Sequence, residues 1–270
     1  MSGWLPATAV ITGGASGIGL AIARELAARG VKVLLADLPG ERLEAAAASI
    51  EGAIAQSCDV SDLAQVEALA DAAFAQLGEV HLLLNNAGVT GPRGKLWEVD
   101  PADARAHFDI NFWGVWNGCR AFAPRMAAQS AESAIYNTGS ENSWFCAVPQ
   151  SAAYIAAKHG VLGMTESMRE DLPSHVHLGT LIPGWVFTAI GPESSMKHGM
   201  PVEEFAQIVV PQLLARERFV VSHCSNVRRI RERTDALFGS YERNAPREGG
   251  DNAYDVRDTI AAAMAMRERS

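Results

Sequence analysis

The sequence predicts an α/β fold built on one doubly wound parallel sheet, and three observations predict it. Short β-rich runs alternate with longer alanine-rich helical segments from the start of the chain to about residue 183, the rhythm of right-handed βαβ crossovers. The strand runs are apolar throughout, as in "VKVLLADL" and "VHLLLNNAGV", rather than alternating, which implies burial on both faces. A glycine-rich stretch, "VITGGASGIG" at residues 10–19, joins the first strand to the first helix.

Taken in order, Ala7 to Thr12 reads as a strand and Gly17 to Arg29 as a helix. Lys32 to Ala36 is the next strand, followed by a helix through "ERLEAAAASI". A third strand lies near Ala53 to Gln56, a helix in "DLAQVEALADAAFAQLG", and a fourth strand at His81 to Leu84. A single helix is expected from Pro101 to Ala127, then a strand at Ala134 to Asn137, a helix at Ala153 to Asp171 and a strand at Val176 to Ile182. After Pro183 a loop and helix run to about Arg216, and "RFVVSH" reads as a last strand. The whole, residues 1–270, is expected to be a single domain with a C-terminal extension. Within it the sequence separates a segment over 1–150, one over 140–224, and an extension over 225–270, charged and with a Gly/Pro-rich stretch "APREGGDN".

Bulk properties exclude several function classes. The net charge of −8 argues against general affinity for nucleic acid or anionic membranes. The basic cluster "NVRRIRER" is followed by acidic residues and reads as a solvated helix face. Cys58, Cys119, Cys146 and Cys224 make no CxxC pair, so no metal site is expected and the thiols are read as reduced. No apolar run is long enough to span a bilayer, and "MSGWLPATAV" lacks the features of a signal peptide. A cytoplasmic protein is expected.

The glycine stretch sits where a dinucleotide pyrophosphate meets a helix N-terminus. Its spacing, G-x-x-x-G-x-G, departs from G-x-G-x-x-G, so alone it fits an ordinary Gly-rich turn equally well. Asp37 adds context. It ends the second strand, eighteen residues beyond Gly19, where a carboxylate binds the adenosine ribose hydroxyls and repels a 2′-phosphate. No Lys or Arg lies in "TGGASG" or directly after Asp37, with Arg42 the nearest; NAD is therefore expected over NADP.

In "YIAAKHG", Tyr154 and Lys158 stand four apart on one face of a predicted helix. A phenol has a pKa of roughly 10, and a nearby cation lowers it, so the pair could transfer protons. Ser140, in "IYNTGSENS", lies at the carboxyl edge of the sheet and could bond a substrate oxygen, or simply form a turn.

Assembled, these residues resemble the short-chain dehydrogenase/reductase (SDR) family over residues 7 to about 190. The resemblance rests on "TGGASGIG", Asp37, "CDV", "NNAG", "INFWG", Ser140, "YIAAK" and "PGWVFT", an ordered set that is highly specific. It implies a Rossmann-type fold with a cofactor site at Gly13, Ser16, Gly17, Ile18, Gly19, Asp37, Asp59, Val60, Asn86, Ala87, Gly88, Tyr154, Lys158, Pro183, Gly184, Val186 and Thr188. In that site Asp59 and Val60 contact adenine, Asn86 the ribose, and Val186 and Thr188 the carboxamide. The implied catalytic set is Asn111, Ser140, Tyr154 and Lys158: Asn111 binds a relay water through its main chain, Ser140 orients the substrate oxygen, Tyr154 is the acid/base, and Lys158 holds the nicotinamide ribose and depresses the tyrosine pKa. Ser140 lies one residue farther from the tyrosine than the family's commonest spacing, with Ser143 as its substitute. The family's Gly-Gly closure after the last strand is also missing.

The implied activity is NAD-dependent interconversion of a secondary alcohol and a ketone. Two alternatives stand beside it: an NAD(P)H-dependent biosynthetic carbonyl reductase, and a non-catalytic dinucleotide-binding protein on the same fold. Aromatics near the predicted cleft, Trp97, Trp144, Phe145, Trp185 and Phe187, suggest a bulky apolar or aromatic substrate, with Ser140, Trp144, Tyr154 and Trp185 as its contacts. Met196 and Met200 suit the wall of a lid. The tail resembles that of dehydrogenases acting on benzylic alcohols of lignin-type aryl ethers. The family resemblance and the apolar "FWGVWNGCRAFAPRM" imply a homo-oligomer, tetramer or dimer.

Overall fold

The computed structural model contains a sheet of seven parallel strands: β1 (Thr8–Thr12), β2 (Lys32–Asp37), β3 (Ile54–Ser57), β4 (Leu82–Asn85), β5 (Ser133–Thr138), β6 (Val176–Ile182) and β7 (Phe219–Val221). Residues 4–188, 190, 193–245 and 255–267 are described. The strand order is β3-β2-β1-β4-β5-β6-β7. β1 pairs with β2 on one side, Thr8 opposite Lys32, and with β4 on the other, Ala9 opposite Leu82. The order therefore reverses direction between β1 and β4, and the crevice beyond their carboxyl ends is where such sheets bind ligands. This is the doubly wound, Rossmann-type fold.

Both faces of the sheet are covered, which explains the unbroken apolar runs. Along β1, Ala9 and Ile11 enter one core cluster and Val10 the other; along β2, Leu35 and Leu34 divide the same way. One cluster receives α1 (Gly17–Ala27), α2 (Glu41–Ala48) and α8 (Val202–Leu214) through Ile22, Leu26, Leu43 and Phe205. The other receives α3 (Leu63–Leu77), α5 (Gly114–Ala128) and α6 (Ala152–Asp171) through Leu69, Phe122 and Val161. Each fully buried Leu, Ile or Phe contributes about 1.5–3 kcal/mol.

The expected single helix over 101–127 is broken. Asp100 caps α4 (Pro101–Phe108) by accepting from Ala102 N–H at 2.7 Å, and Pro101 occupies the first turn, a position that tolerates a missing N–H. A π-turn at Asp109–Trp113 follows, with Gly114 N–H bonding the Asp109 carbonyl five residues back, and then α5 begins. Apolar periodicity does not register one extra residue in a turn. Here it sets Asn111 inward, 1% exposed.

Beneath the sheet's carboxyl edge lies a buried polar network. Asn85 Nδ2 donates to Asn137 Oδ1 at 2.9 Å, and Asn137 Nδ2 donates to Thr165 Oγ1 at 3.0 Å. Gly118 on α5 admits it: a Cβ there would fall 2.0 Å from Asn85 Oδ1. Helix propensity favours alanine over glycine by about 1 kcal/mol, whereas forced overpacking costs about 1–3 kcal/mol. Gly118→Ala is therefore expected to lower the midpoint of urea unfolding, and an unchanged or raised midpoint would show that α5 shifts freely.

The chain divides into two compact units, Met1–Ser225 and Asn226–Ser270. The second holds α9 (Val227–Asn244), which begins in the basic cluster read as a solvated helix face, and α10 (Val256–Arg267), which sequence analysis did not assign. No residue of α9 is buried. The Gly/Pro-rich stretch, from residue 246 to 252, lies outside the described residues. The remaining short helix, α7 (Glu193–Met196), is in the first unit.

Candidate active site

The glycine turn between β1 and α1 forms one end of the site. Gly13 has φ +65°, and a Cβ on it would meet Ala87 Cα at 2.8 Å; a Cβ on Gly19 would lie 2.2 Å from the Gly13 carbonyl. Backbone touches backbone here, which leaves room only for glycine. Ser16, the N-cap of α1, makes no side-chain capping bond, so the first N–H groups of α1 are open to an anion, favoured by the helix dipole. Ile18 is half-buried and packs on the core. Asp37 ends β2 beside this turn: its Oδ2 accepts from Ala15 N–H at 3.0 Å and its Oδ1 from Leu38 N–H at 2.8 Å. These features, an open cradle with a fixed carboxylate, fit a dinucleotide.

The next βα turn closes over the first. Asn86 Nδ2 donates to the Thr12 carbonyl at 3.1 Å, and Thr12 Oγ1 accepts from the N–H groups of Asn86 and Ala87 at 2.9 and 3.1 Å. The amide of Asn86 thus ties the two turns together. Asp59 accepts from Ser61 N–H and Oγ at 2.9 and 2.7 Å. Val60 is buried, its side chain under Gly114 and its carbonyl accepting from Asn117 at 3.0 Å.

Ser140, Tyr154 and Lys158 meet at the carboxyl edge of β5. The Ser140 side chain faces that of Tyr154 closely enough to favour its phenolate, while Ser140 Oγ accepts from Asn142 N–H at 3.1 Å. Ser143 turns elsewhere, donating to the Lys158 carbonyl at 2.7 Å. Lys158 is 4% exposed, donates from Nζ to the Thr138 carbonyl at 2.8 Å, and lies 5.9 Å from the Tyr154 ring centroid. Burial lowers its pKa to about 8. The expected depression of the Tyr154 pKa is reversed: burial pushes it up, and the Ser140 hydroxyl only partly opposes this. Desolvation of a phenolate outweighs one donor.

Asn111 joins the group from the π-turn. Its Nδ2 donates to the Val89 carbonyl at 3.1 Å, and its Oδ1 accepts from Val89 N–H at 3.3 Å. With its side chain so engaged, its main chain lies in the i→i+5 turn. His107, on α4, was missed by sequence reasoning. It is 4% exposed, its ring centroid 5.9 Å from that of Tyr154 and its Nδ1 3.0 Å from Asn111 Nδ2. The only sequence signal was its position four residues before Asn111.

The segment after β6 forms the far wall. The buried Pro183 accepts at its carbonyl from Glu141 N–H at 3.1 Å, and Gly184 packs against His223. Val186 is in the core, flanked by Trp185 and Phe187, which are 45% and 41% exposed. Phe187 N–H bonds the Met200 carbonyl and Met200 N–H the Trp185 carbonyl, both at 2.8 Å. Thr188 lies over Gly17, whose added Cβ would sit 3.3 Å from Thr188 Cγ2. Met196 is buried, and Met200 packs against the core. The other aromatics divide: Trp144 stacks edge-on against Phe219 at 5.6 Å, Phe145 is buried, and Trp97 is 79% exposed with Lys95 over its ring. Trp97 borders a cavity of about 570 Å³ with Cys146, Ile155 and His159, and Tyr154 is not part of its lining.

Among the described residues no cluster of three His, Cys, Asp or Glu could hold a metal, and no helix is long and apolar enough to cross a membrane. A family model described as short chain dehydrogenase matches residues 7–198. The 1-deoxy-11-beta-hydroxypentalenate dehydrogenase of Streptomyces exfoliatus is 37% identical over 243 residues, 85% of this chain and 88% of that protein. Levodione reductase of Leifsonia aquatica is 34% identical over 212 residues, 74% of this chain and 78% of that one. The crystal structure of a short chain dehydrogenase/reductase from Burkholderia phymatum in complex with NAD matches with a TM-score of 0.82 at 31% identity, over 89% of this chain and 97% of that chain.

Proposed function

The chain belongs to the short-chain dehydrogenase family, and on that premise we propose that it is an NAD-dependent oxidoreductase interconverting a secondary alcohol and a ketone. The observation that carries this reading is the meeting of Ser140, Tyr154 and buried Lys158 at the same sheet edge as the open glycine cradle. A binding protein needs the cradle but not a proton-transfer pair. The proposed substrate is bulky and apolar or aromatic, supported by the exposed Trp185 and Phe187 beside Thr188, with Trp144 as a further contact. The relatives' names, a hydroxypentalenate dehydrogenase and a levodione reductase, support a small-molecule carbonyl or alcohol. A cytoplasmic homo-oligomer completes the proposal, supported by the surface cluster of Phe112, Trp113 and Trp116, with ring centroids 5.0–6.1 Å apart.

Bound NAD would supply the hydride acceptor. The glycine turn and the N-terminus of α1 would hold the pyrophosphate, Asp37 the adenosine ribose, and Lys158 the nicotinamide ribose. Asp59 and Val60 would contact the adenine, Asn86 with Ala87 and Gly88 the adenosine ribose, and Pro183, Gly184, Val186 and Thr188 the nicotinamide. Ser140 orients the substrate oxygen, and Tyr154 takes its proton during oxidation or returns one during reduction. Asn111 extends the relay through a water on its main chain.

The reading is tested by nicotinamide absorbance with aliphatic, alicyclic, steroid and benzylic secondary alcohols, followed against pH. Tyr154 is raised by burial, so its phenolate is scarce at neutrality and grows by up to about tenfold per pH unit. Alcohol oxidation should therefore climb from about pH 6 to about pH 8, and less steeply where Lys158 loses its charge, at about 8. Ketone reduction uses the phenol and should stay flat across the same range. Tight NAD binding without turnover on the whole panel would favour the binding-protein reading.

A further inference from the structure

We propose that His107 is a hydrogen-bond donor of this site in one fixed tautomer, its Nδ1 locked by the Asn111 amide and its Nε2–H offered to an oxygen beside Tyr154. The oxygen belongs to substrate or to a relay water, and that part rests on the dehydrogenase reading; the tautomer does not.

The tautomer follows from the main chain of Val89. Its carbonyl takes a proton from Asn111 Nδ2 at 3.1 Å, and its N–H donates to Asn111 Oδ1 at 3.3 Å. Exchanging the two amide atoms would set carbonyl against carbonyl and N–H against N–H, so the orientation of Asn111 is determined. The other Nδ2 proton points at His107, where Nδ1 at 3.0 Å is nearer than the main-chain carbonyl at 3.3 Å; an amide nitrogen does not accept, so Nδ1 facing it carries the lone pair. The proton of the neutral ring is then on Nε2.

Nε2 is buried and has no hydrogen-bond partner among the described residues. A donor left unmet inside a protein calls for an explanation, and its surroundings supply one. The ring stands against Gly91, where a Cβ would approach it to 3.2 Å, and faces Tyr154 at 5.9 Å between centroids. The titratable groups around it are Tyr154 and Lys158 from α6. Burial, aided by the Lys158 charge, brings its pKa down to about 4, so it stays neutral wherever the enzyme would work.

Two arms test this. In the first, ¹⁵N-histidine spectra of the whole protein without cofactor, assigned with His107→Asn, should show His107 neutral, protonated on Nε2, and unchanged from about pH 8 to about pH 5. A ring protonated on Nδ1, or one titrating near the ordinary value of about 6.5, would overturn the proposal. The second arm is kinetic. Asparagine keeps an acceptor near the Nδ1 position but removes the Nε2 donor, whereas glutamine reaches the Nε2 position with an N–H. His107→Asn should lower kcat/KM by roughly a hundred-fold, the low end for one lost active-site donor, with NAD affinity within about twofold. His107→Gln should recover most of that loss. A rise in KM for the alcohol would assign the oxygen to substrate, and a fall in kcat alone would assign it to water. Equal activity of His107→Asn and the parent, or His107→Gln no better than His107→Asn, would overturn the donor role. If the parent turned over no alcohol, the dehydrogenase reading would fail instead. The Nε2 proton shift, hydrogen-bonded or bare, would then decide for or against the donor.

Discussion

Tyr154→Phe should lower kcat by at least ~100-fold, the low end for general acid–base catalysis, with NAD affinity unchanged within about twofold. The phenylalanine ring keeps the packing of Tyr154 against His107, whose centroids are 5.9 Å apart, so the loss isolates the hydroxyl. Ser140 still accepts from Asn142 N–H at 3.1 Å, while its own buried O–H loses the Tyr154 oxygen it faces, a cost of about 1–3 kcal/mol that a folded domain absorbs. The fold should therefore survive, and a thermal melt would verify it. Steady-state nicotinamide absorbance gives kcat, and quenching of tryptophan fluorescence gives NAD affinity. A mutant within about tenfold of the parent would remove Tyr154 from the proton-transfer role, and one that lost NAD binding as well would point to a collapsed site.

The second large effect concerns the cofactor. Asp37 is held by Ala15 N–H at 3.0 Å and Leu38 N–H at 2.8 Å, and so cannot swing aside from a 2′-phosphate without leaving those donors unmet. Juxtaposed like charges cost several kcal/mol, and each 1.4 kcal/mol or so is a factor of ten. Catalytic efficiency should accordingly favour NAD over NADP by roughly a hundred-fold or more. Asp37→Asn removes the charge while keeping the size, and should narrow that ratio by about tenfold, mostly through KM for NADP. One of the two backbone donors loses its acceptor, at a cost of about 1 kcal/mol that a denaturation curve would register. Higher efficiency of the parent with NADP would show that Asp37 does not read the ribose.

Where the signal was local, it was legible. The strands and helices through Ile182 follow from apolar runs and their spacing, and the glycine turn is readable because its chemistry lies within one βα unit. Tyr154 and Lys158 share a helix face whatever surrounds them. Other features depended on partners far along the chain. The π-turn at Asp109–Trp113 is invisible to periodicity, since one extra residue leaves the apolar pattern of α4 and α5 intact. The aromatic residues of the predicted cleft separated into a buried Phe145, a stacked Trp144 and an exposed Trp97, because a residue type does not say which surface it meets. The extent of α9 and the presence of α10 escaped because the tail lacks the strand–helix alternation that marks the rest of the chain.

The sequence by itself determined the order of the elements, the cradle at Gly13 to Gly19, the carboxylate at Asp37 and the Tyr154–Lys158 pair, all set by neighbours within a turn or two of chain. Tertiary structure alone decided the company those groups keep: His107 and Asn111 beside Tyr154, Ser140 rather than Ser143 facing its hydroxyl, and the direction of its pKa. The physical reason is desolvation. A phenol's pKa depends on how much water packing removes from it, and packing is the product of segments that meet only when the sheet closes.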